Sequence, residues 1–274
     1  MKQRKLFCEI SPMTYKISVI KCQLTRHMKN IISHEKIAKK KAEVPLPILV
    51  YEYQSLIRRR LGNTNLALQE NKAHNLQLVA PKVTGILVRP GEVFSFWKLV
   101  GKCSEKKGYR VGLTIGKGKL SQGIGGGMCQ FTNLIHWLVL HTPLDIVEHH
   151  HHEGVDWFPD YGRVIPFGTG TSIMYNYLDY RFKNNTNHTY QLIIYTSEEY
   201  LHGEIRASET SDTKYHIKVE DEYFKQEEDG IYRTGKVFRE CIDKTTGDIV
   251  AKELIKTNYA KVMYDLSGPI LQST

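Results

Sequence analysis

Residues with the clearest capacity for chemistry lie close together in one part of the sequence. A glycine triplet, Gly125 to Gly127, precedes a single cysteine, Cys129, and a run of four histidines, His149 to His152, follows. A thiolate is both a nucleophile and a metal ligand, and an imidazole is both a general base and a metal ligand. These residue types predict either a thiol nucleophile with a histidine base or a metal site.

The cysteine is predicted to lie at the start of an amphipathic helix. Apolar residues recur at the i, i+3, i+4, i+7 and i+8 positions of one helix face: Phe131, Leu134, Ile135, Leu138 and Val139. In a helix that begins near Gly127 and ends before Pro143, the first amides have no intrahelical acceptors. Because these amides and the helix dipole favour a negative charge, we expect the Cys129 thiol to have a lowered pKa. The preceding glycines would let the backbone turn sharply and leave the thiol accessible.

A base for this thiol is expected from the histidine run. On a strand, His150 and His152 would point to one face, so these two are the predicted partners of Cys129. His136 shares a helix stripe with Cys129 and Asn133, but it lies about two turns, roughly 10 Å, from the thiol. We therefore predict a catalytic set of Cys129, His150 and His152.

Two other interpretations of these residues stay open. Buried cysteines without chemistry are the commonest kind, and Cys129 could be one of them. Cys129, His150 and His152 could also provide three of the ligands that a metal ion needs. We assign neither a metal nor a cofactor, and a Cys/His metal site is kept as an alternative.

The pattern along the chain predicts an α+β protein in three parts. Residues 1–78 are expected to form a helical N-terminal segment, with helical spacing in Tyr51–Leu61 and again in Thr64–Val79. Residues 79–207 are expected to form an α+β core, in which the cysteine-bearing helix packs on a central antiparallel sheet. Residues 208–274 alternate polar and apolar positions around a turn at Thr245–Asp248 and predict a β-rich C-terminal appendix.

Two segments are expected in the central sheet. Residues 144–152, which contain the histidine run, have the composition of a strand, and residues 190–206 have the pattern of a hairpin. Asn63 and Thr64 occupy positions suited to the N-cap of the second predicted helix.

Composition and charge argue against several kinds of partner. The net charge is +9, but acidic residues are interspersed with the basic ones. The densest basic run, His34–Glu43, lacks the aromatic residues that base stacking needs, so we predict an exposed helix face and no nucleic-acid partner. No apolar run approaches the ~20 residues of a membrane span, and Glu9 and Pro12 interrupt the pattern of an export signal. We expect a cytoplasmic protein with free cysteines and no membrane span.

Three stretches of the sequence resemble the VanW family, named for an accessory protein of some bacterial vancomycin-resistance clusters. They are RPGEVFSFWKLVG, GYRVGLTIGKGKLSQGIGGGMCQFTNLIHWLVLHTPLDIVE and DYRFKNNTNHTYQLIIY, within residues 45–205. The specific order G-G-G-x-C-Q-x-[ST]-N-L falls on Gly125, Gly126, Gly127, Cys129, Gln130, Thr132, Asn133 and Leu134. The resemblance implies a bacterial protein connected with the cell envelope or glycopeptide resistance. The predicted binding positions are Gly125, Gly126, Gly127, Gln130 and Asn133.

The sequence also departs from the family pattern. A family segment of the form E-R-x-x-H corresponds to Glu148–His152, where His149 stands at the arginine position. The acidic position of a family segment G-R-D-A-T-V corresponds to Gly170, so a carboxylate that would orient the base is missing, and Asp179 is the nearby acid that matches the family.

The resemblance does not itself supply a mechanism, and two kinds of function are consistent with it and with the arrangement of the cysteine and the histidine run. The first is a cysteine-dependent enzyme acting on an amide or peptide-like cell-envelope substrate, such as a peptidoglycan precursor. The second is a non-catalytic binding module for such a precursor or for a partner protein.

Overall fold

The computed structural model describes residues 5–58, 66–116, 119–151, 154–157 and 164–266. In these ranges the α-helices are α1 (Pro12–Ile32), α2 (Leu66–Val83), α3 (Phe96–Val100) and α4 (Met128–Leu140). The strands are β1 (Ile48–Leu56), β2 (Ile86–Val88), β3 (Val93–Ser95), β4 (Val111–Gly116), β5 (Lys119–Ile124), β6 (Asp145–Glu148), β7 (Gly154–Asp156), β8 (Arg181–Lys183), β9 (Tyr190–Thr196), β10 (Tyr200–Ala207), β11 (Thr213–Glu227), β12 (Gly230–Asp243) and β13 (Ile249–Val262).

The core is built on an antiparallel sheet in the order β1-β10-β9-β2, with α2 against β9 and α4 against β1 and β10. The apolar face predicted for α4 is fully buried, and each such side chain contributes roughly 1.5–3 kcal/mol to folding. Gly203 on β10 allows the close approach, since a Cβ there would lie 2.8 Å from Leu134 and 2.9 Å from Leu138. The predicted α+β fold, with the cysteine-bearing helix on an antiparallel sheet, is confirmed.

A second sheet has the order β3-β8-β6, and the histidine run follows its strand β6 in the sequence. Its strands β3 and β8 are joined by the stacked rings of Phe94 and Phe182, whose centroids are 4.7 Å apart. The expectation that residues 144–152 share a sheet with 190–206 is wrong, because β6 pairs with β8 instead. The β6–β8 register shifts between Ile146 and Glu148, and the strand ends at Glu148, so the histidines that follow lie outside it.

The last part of the described chain is a sheet in the order β11-β12-β13-β7. The turn predicted at Thr245–Asp248 is confirmed, because β12 ends at Asp243 and β13 begins at Ile249. β7 comes from the predicted core region but pairs with β13, and Trp137 of α4 packs in a small apolar cluster with Ile217 and Val237. The boundaries at residues 78 and 207 stay predictions.

The N-terminal part differs from the sequence-based expectation. The helix predicted for Tyr51–Leu61 is wrong, since residues 48–56 form β1 and pair with β10. Tyr51 and Tyr53 alternate along this strand and pack edge-on against Trp137, a contact that local helical spacing cannot anticipate. The helix predicted after residue 64 is confirmed as α2, while its predicted caps at 63 and 64 lie outside the described residues.

The basic run His34–Glu43 is extended rather than helical, so that prediction is wrong as well. Ala38 is fully buried and its amide donates to the Val93 carbonyl, and Lys41 forms a bridge with Ile86. Pairing with β3 and β2 therefore overrides the local pattern. Across the described ranges, no helix is long and apolar enough to cross a membrane. The cytoplasmic location stays a prediction.

Candidate functional site

The glycine triplet allows tight packing where α4 begins. Gly125 and Gly127 have φ values of +79° and +109°, which side-chain-bearing residues rarely adopt. A Cβ at Gly125 would lie 2.6 Å from the Cys103 Cβ, and one at Gly127 would lie 2.6 Å from the Lys72 Cγ. Gly126 packs backbone to backbone against Gly112 of β4. The triplet thus has a packing function, and its role in ligand binding stays a proposal.

Cys129 lies in the first turn of α4, as predicted, but its electrostatics differ from the expectation. Gly127 is the N-cap and offers no side-chain acceptor to the helix amides. Cys129 as a whole residue is partly exposed, but its thiol is closely surrounded, and burial raises the pKa of the thiol. Backbone N–H groups of Ile173 and of Cys129 itself donate to the sulfur and oppose this rise. The expected lowering of the pKa is therefore wrong, because burial outweighs the amides.

Asn133 and Thr132 attach the loop of residues 169–173 to α4. The Asn133 Oδ1 accepts hydrogen bonds from the Thr171 amide at 2.6 Å and from the Thr171 hydroxyl at 2.8 Å. The Thr132 and Thr171 hydroxyls also hydrogen-bond each other. These contacts hold the amide of Ile173 near the Cys129 sulfur. Asn133 thus has a positioning role for the loop that carries Ile173.

Gln130 has a comparable role on the other side of α4. Its amide nitrogen donates to the Ser55 hydroxyl at 3.0 Å and to the Leu56 carbonyl at 2.8 Å. These bonds fix the helix to the end of β1. The sequence motif identified Gln130 and Asn133, and the structure gives both of them protein partners.

His149 and His150 of the histidine run lie beside the loop of residues 169–173. The His150 carbonyl accepts a hydrogen bond from the Ser172 amide at 2.6 Å. The His150 imidazole bonds to Glu148 at 3.0 Å, and that of His149 bonds to the Gly170 carbonyl at 3.3 Å. Neither imidazole bonds to the Cys129 thiol. His152 lies outside the described residues, so its predicted approach to the thiol stays a prediction.

His136 is buried and lies in a cluster of tilted rings with two histidines of the run, which the sequence did not indicate. Its ring centroid is 4.0 Å from that of His149, which is 4.0 Å from that of His151. The His136 Nδ1 also bonds to the Tyr180 hydroxyl at 3.1 Å. Burial, reinforced by the neighbouring imidazoles, lowers the pKa of His149 to about 3 and holds that of His136 well below its usual value. At neutral pH these rings are uncharged.

Two acidic residues near the histidine run, Glu148 and Asp179, form hydrogen bonds or ion pairs with residues outside it. Glu148 is ion-paired with Arg26 of α1, accepts the Asp179 amide at 2.9 Å and bonds His150. The pairing outweighs burial and lowers the pKa of Glu148. Asp179 is 5% exposed, and burial raises its pKa to about 6 even though the Ser95 hydroxyl donates to it.

Asp179 organises the protein around α3 rather than facing the thiol. Its carboxylate accepts hydrogen bonds from the Ser95 hydroxyl at 2.5 Å, the Trp97 amide at 3.0 Å and the Tyr180 amide at 2.9 Å. Gly170 has no side chain, so the family's acidic position offers no carboxylate here. In the part of the chain that the structure describes, no group of three or more Cys, His, Asp and Glu side chains is arranged to hold a metal ion.

We expect the buried histidines to make the protein less stable in acid. Burial lowers the pKa of His141 to about 4 and that of His136 further below its usual value, whereas both titrate near 6.5 in an unfolded chain. Below that pH the unfolded chain binds more protons, so the free energy of unfolding falls by about 1.4 kcal/mol per pH unit for each histidine. This loss continues down to the folded-state pKa.

The measurement is urea unfolding of wild type and His141→Gln between about pH 7 and pH 5. We expect the variant to lose less stability over this range. His27, which is exposed on α1, provides the matched control, and His27→Gln should follow wild type. Asp179 has the opposite effect, because a group with a raised pKa in the folded protein lowers the free energy of unfolding as the pH rises. The pH dependence of wild type minus that of His141→Gln is therefore the quantity to compare, since Asp179 contributes equally to both. Equal pH dependence of wild type and His141→Gln would contradict the expectation.

Comparisons with known proteins identify relatives of this chain. A family model described as VanW like protein matches residues 71–206. The vancomycin B-type resistance protein VanW of Enterococcus faecalis is 35% identical over 224 residues, which cover 82% of this chain and 81% of that protein. The uncharacterized protein YoaR of Bacillus subtilis is 32% identical over 121 residues, 43% of this chain and 37% of that protein. No solved structure gives a significant match.

Proposed function

This chain belongs to the VanW family, and on that premise we propose that it is a non-catalytic binding protein for an anionic cell-wall precursor in glycopeptide resistance. The link to resistance is proposed from the Enterococcus faecalis relative, which is named a vancomycin B-type resistance protein. The ligand class is a peptide-like precursor that carries a free carboxylate.

The observation that carries this proposal is the state of the groups that a thiol enzyme would need. Burial raises the pKa of the Cys129 thiol, which lowers the fraction of reactive thiolate at neutral pH. The His150 imidazole is bonded to Glu148, and Gly170 has no carboxylate to orient a base. Because the pKa of the thiol is raised and neither the His149 nor the His150 imidazole bonds it, the described residues support binding at this site without attack by Cys129.

The start of α4 supports the choice of an anionic ligand. Gly127 caps the helix without a side-chain acceptor, so the positive end of the helix dipole has no capping side chain. Amides at such a position bind carboxylates and phosphates. The Gly125 and Gly126 amides already donate to the Arg110 and Gly123 carbonyls, so the prediction that these two amides bind a ligand is wrong. In this proposal the Gly127 amide and the first-turn amides of α4 contact the ligand, while Gln130 and Asn133 hold β1 and the 169–173 loop beside them.

Calorimetric titration with a synthetic peptidoglycan stem peptide tests the proposal. We expect saturable binding of the peptide with a free terminal carboxylate, at least about tenfold tighter than that of the same peptide with an amidated terminus. Cys129→Ala should bind within about twofold of wild type. Asn133→Ala, which releases the Thr171 contacts, should bind about tenfold more weakly. Equal binding of the two peptides, or no saturable binding, would overturn the proposal.

A second candidate is a thiol-dependent enzyme with Cys129 as nucleophile and His152 or His150 as base. One observation favours it: the His150 carbonyl bonds Ser172, and the adjacent Ile173 amide donates to the Cys129 sulfur. The His150 backbone is therefore bonded to the loop whose Ile173 amide meets the thiol, and in the sequence His152 follows His150 by two residues. Loss of stem-peptide turnover in Cys129→Ala and in His152→Gln, with binding retained, would favour the enzyme.

A further inference from the structure

Helix α1 contacts the rest of the protein through its polar face. The Gln23 side chain donates to the Tyr175 carbonyl at 3.2 Å, and the Asn176 side chain donates to the Gln23 carbonyl at 3.3 Å. Arg26 is ion-paired with Glu148 and also donates to the Tyr177 carbonyl at 3.1 Å. The helix is therefore attached by hydrogen bonds and an ion pair.

The opposite face of α1 is an apolar stripe turned outward. Its members recur every three or four residues and are between 46% and 73% exposed: Met13, Ile17, Ile20, Leu24, Met28 and Ile31. An amphipathic helix of a globular protein normally buries its apolar face. A continuous exposed stripe of this kind marks an interaction surface, whereas single exposed apolar residues do not.

The charges of α1 indicate what covers this stripe. Its charged side chains are all basic: Lys16, Lys21, Arg26 and Lys29. At about 100° per residue, Lys16 lies along one border of the stripe and Lys21 along the other. Long basic side chains in this position place their ammonium groups at lipid phosphates while their stems cover apolar surface.

A second copy of the chain is a poorer match to the same surface. Paired helices usually set acidic against basic residues along the borders of their apolar seam. Because α1 contains no acidic residue, two such helices facing each other would bring lysines together. A bilayer with anionic headgroups satisfies both the apolar stripe and the lysine borders.

We propose that α1 lies in the plane of an anionic lipid bilayer, with its apolar stripe in the acyl region and Lys16 and Lys21 among the headgroups. At 1.5 Å per residue the helix extends about 30 Å along the surface. Arg26 on the protein-facing side bonds Glu148, which also contacts His150, so docking would hold the residues around α4 close to the membrane. This inference is independent of the ligand proposed for α4.

Sedimentation of the full chain with lipid vesicles tests the proposal. We expect binding to vesicles that contain phosphatidylglycerol and much weaker binding to pure phosphatidylcholine, with a loss of affinity at high salt. Ile20→Gln with Leu24→Gln should weaken binding at least about tenfold. Lys16→Gln with Lys21→Gln should weaken binding to anionic vesicles by about tenfold and reduce its salt dependence.

Matched controls come from exposed residues of the same types elsewhere in the chain. Ile249→Gln with Leu254→Gln removes exposed apolar side chains from the C-terminal sheet, and Lys214→Gln removes an exposed charge. These variants should bind vesicles like wild type. Met28→Gln provides a second stripe variant if the circular dichroism of the first one differs from wild type.

Three outcomes would overturn the proposal. The first is no binding to anionic vesicles, and the second is binding that the stripe variants and the controls affect equally. The third is sedimentation velocity that shows a lipid-free dimer which the stripe variant dissociates, since that would identify a second copy as the occupant. Binding to neutral and anionic vesicles with equal affinity would overturn the claim that Lys16 and Lys21 contact anionic headgroups.

Discussion

Replacement of Asp179 with alanine is expected to lower the free energy of unfolding by at least about 3 kcal/mol. The buried carboxylate accepts from the Ser95 hydroxyl and from the amides of Trp97 and Tyr180. Removal of the carboxylate leaves these three donors without their acceptor, and each buried donor left unsatisfied lowers the free energy of unfolding by about 1–3 kcal/mol. Asp179→Asn retains one side-chain oxygen and removes a buried charge, so we expect a smaller loss.

Urea unfolding followed by tryptophan fluorescence measures this effect. Asp248→Ala is the matched control, because Asp248 is exposed and its side chain makes none of the hydrogen bonds seen at Asp179. Its stability should stay within about 0.5 kcal/mol of wild type. If Asp179→Ala were as stable as Asp248→Ala, the assignment of Asp179 as the organiser of α3 and the neighbouring strands would be wrong.

Cys22 is expected to react with iodoacetamide at least about tenfold faster than Cys129 in the folded, lipid-free protein. Cys22 is exposed on α1, whereas burial both raises the pKa of Cys129 and limits access to its sulfur. Because no contact joins the His150 imidazole to this thiol, His150→Gln should leave the Cys129 labelling rate unchanged. Peptide mass spectrometry after timed labelling gives the rate for each cysteine.

Two controls test whether the fast and slow labelling rates belong to Cys22 and Cys129. Cys22→Ser should remove the fast phase without altering the slow labelling of Cys129, and urea should bring the rates of the cysteines together. Preferential labelling of Cys129 in the folded protein, with a rate that falls in His150→Gln, would contradict the expectation. That pattern would instead support the second candidate function.

Local sequence patterns correctly predicted the elements whose structure is determined by residues within one segment. The buried face of α4, the β9–β10 hairpin and the β12–β13 turn all follow from apolar spacing and turn residues within one segment. The strand β1 could not be found this way, because Tyr51 and Tyr53 obtain their partners from α4 and β10. Pairing across distant segments overrode a local helical pattern there.

The position of the cysteine could be predicted, but the chemistry of its surroundings could not. The glycine triplet and the following apolar period placed Cys129 correctly in the first turn of α4. Burial in the folded protein raises the pKa of its thiol, and the Ile173 amide that opposes this rise belongs to a loop that Asn133 attaches across a large sequence separation. The contact between the rings of His136 and His149 likewise forms only because the chain just after β6 packs against α4. Nothing in local spacing specifies either approach.

The central claim, that the chain binds a carboxylate-bearing precursor at the start of α4 without attack by Cys129, is tested most directly by mass spectrometry of the protein incubated with a stem peptide. We expect the peptide to bind, its mass to stay unchanged over hours, and Cys129 to carry no covalent adduct. Cys129→Ala should give the same result. A shortened or transferred peptide, or an acyl adduct on Cys129, that appears with wild type and disappears in Cys129→Ala would contradict the claim.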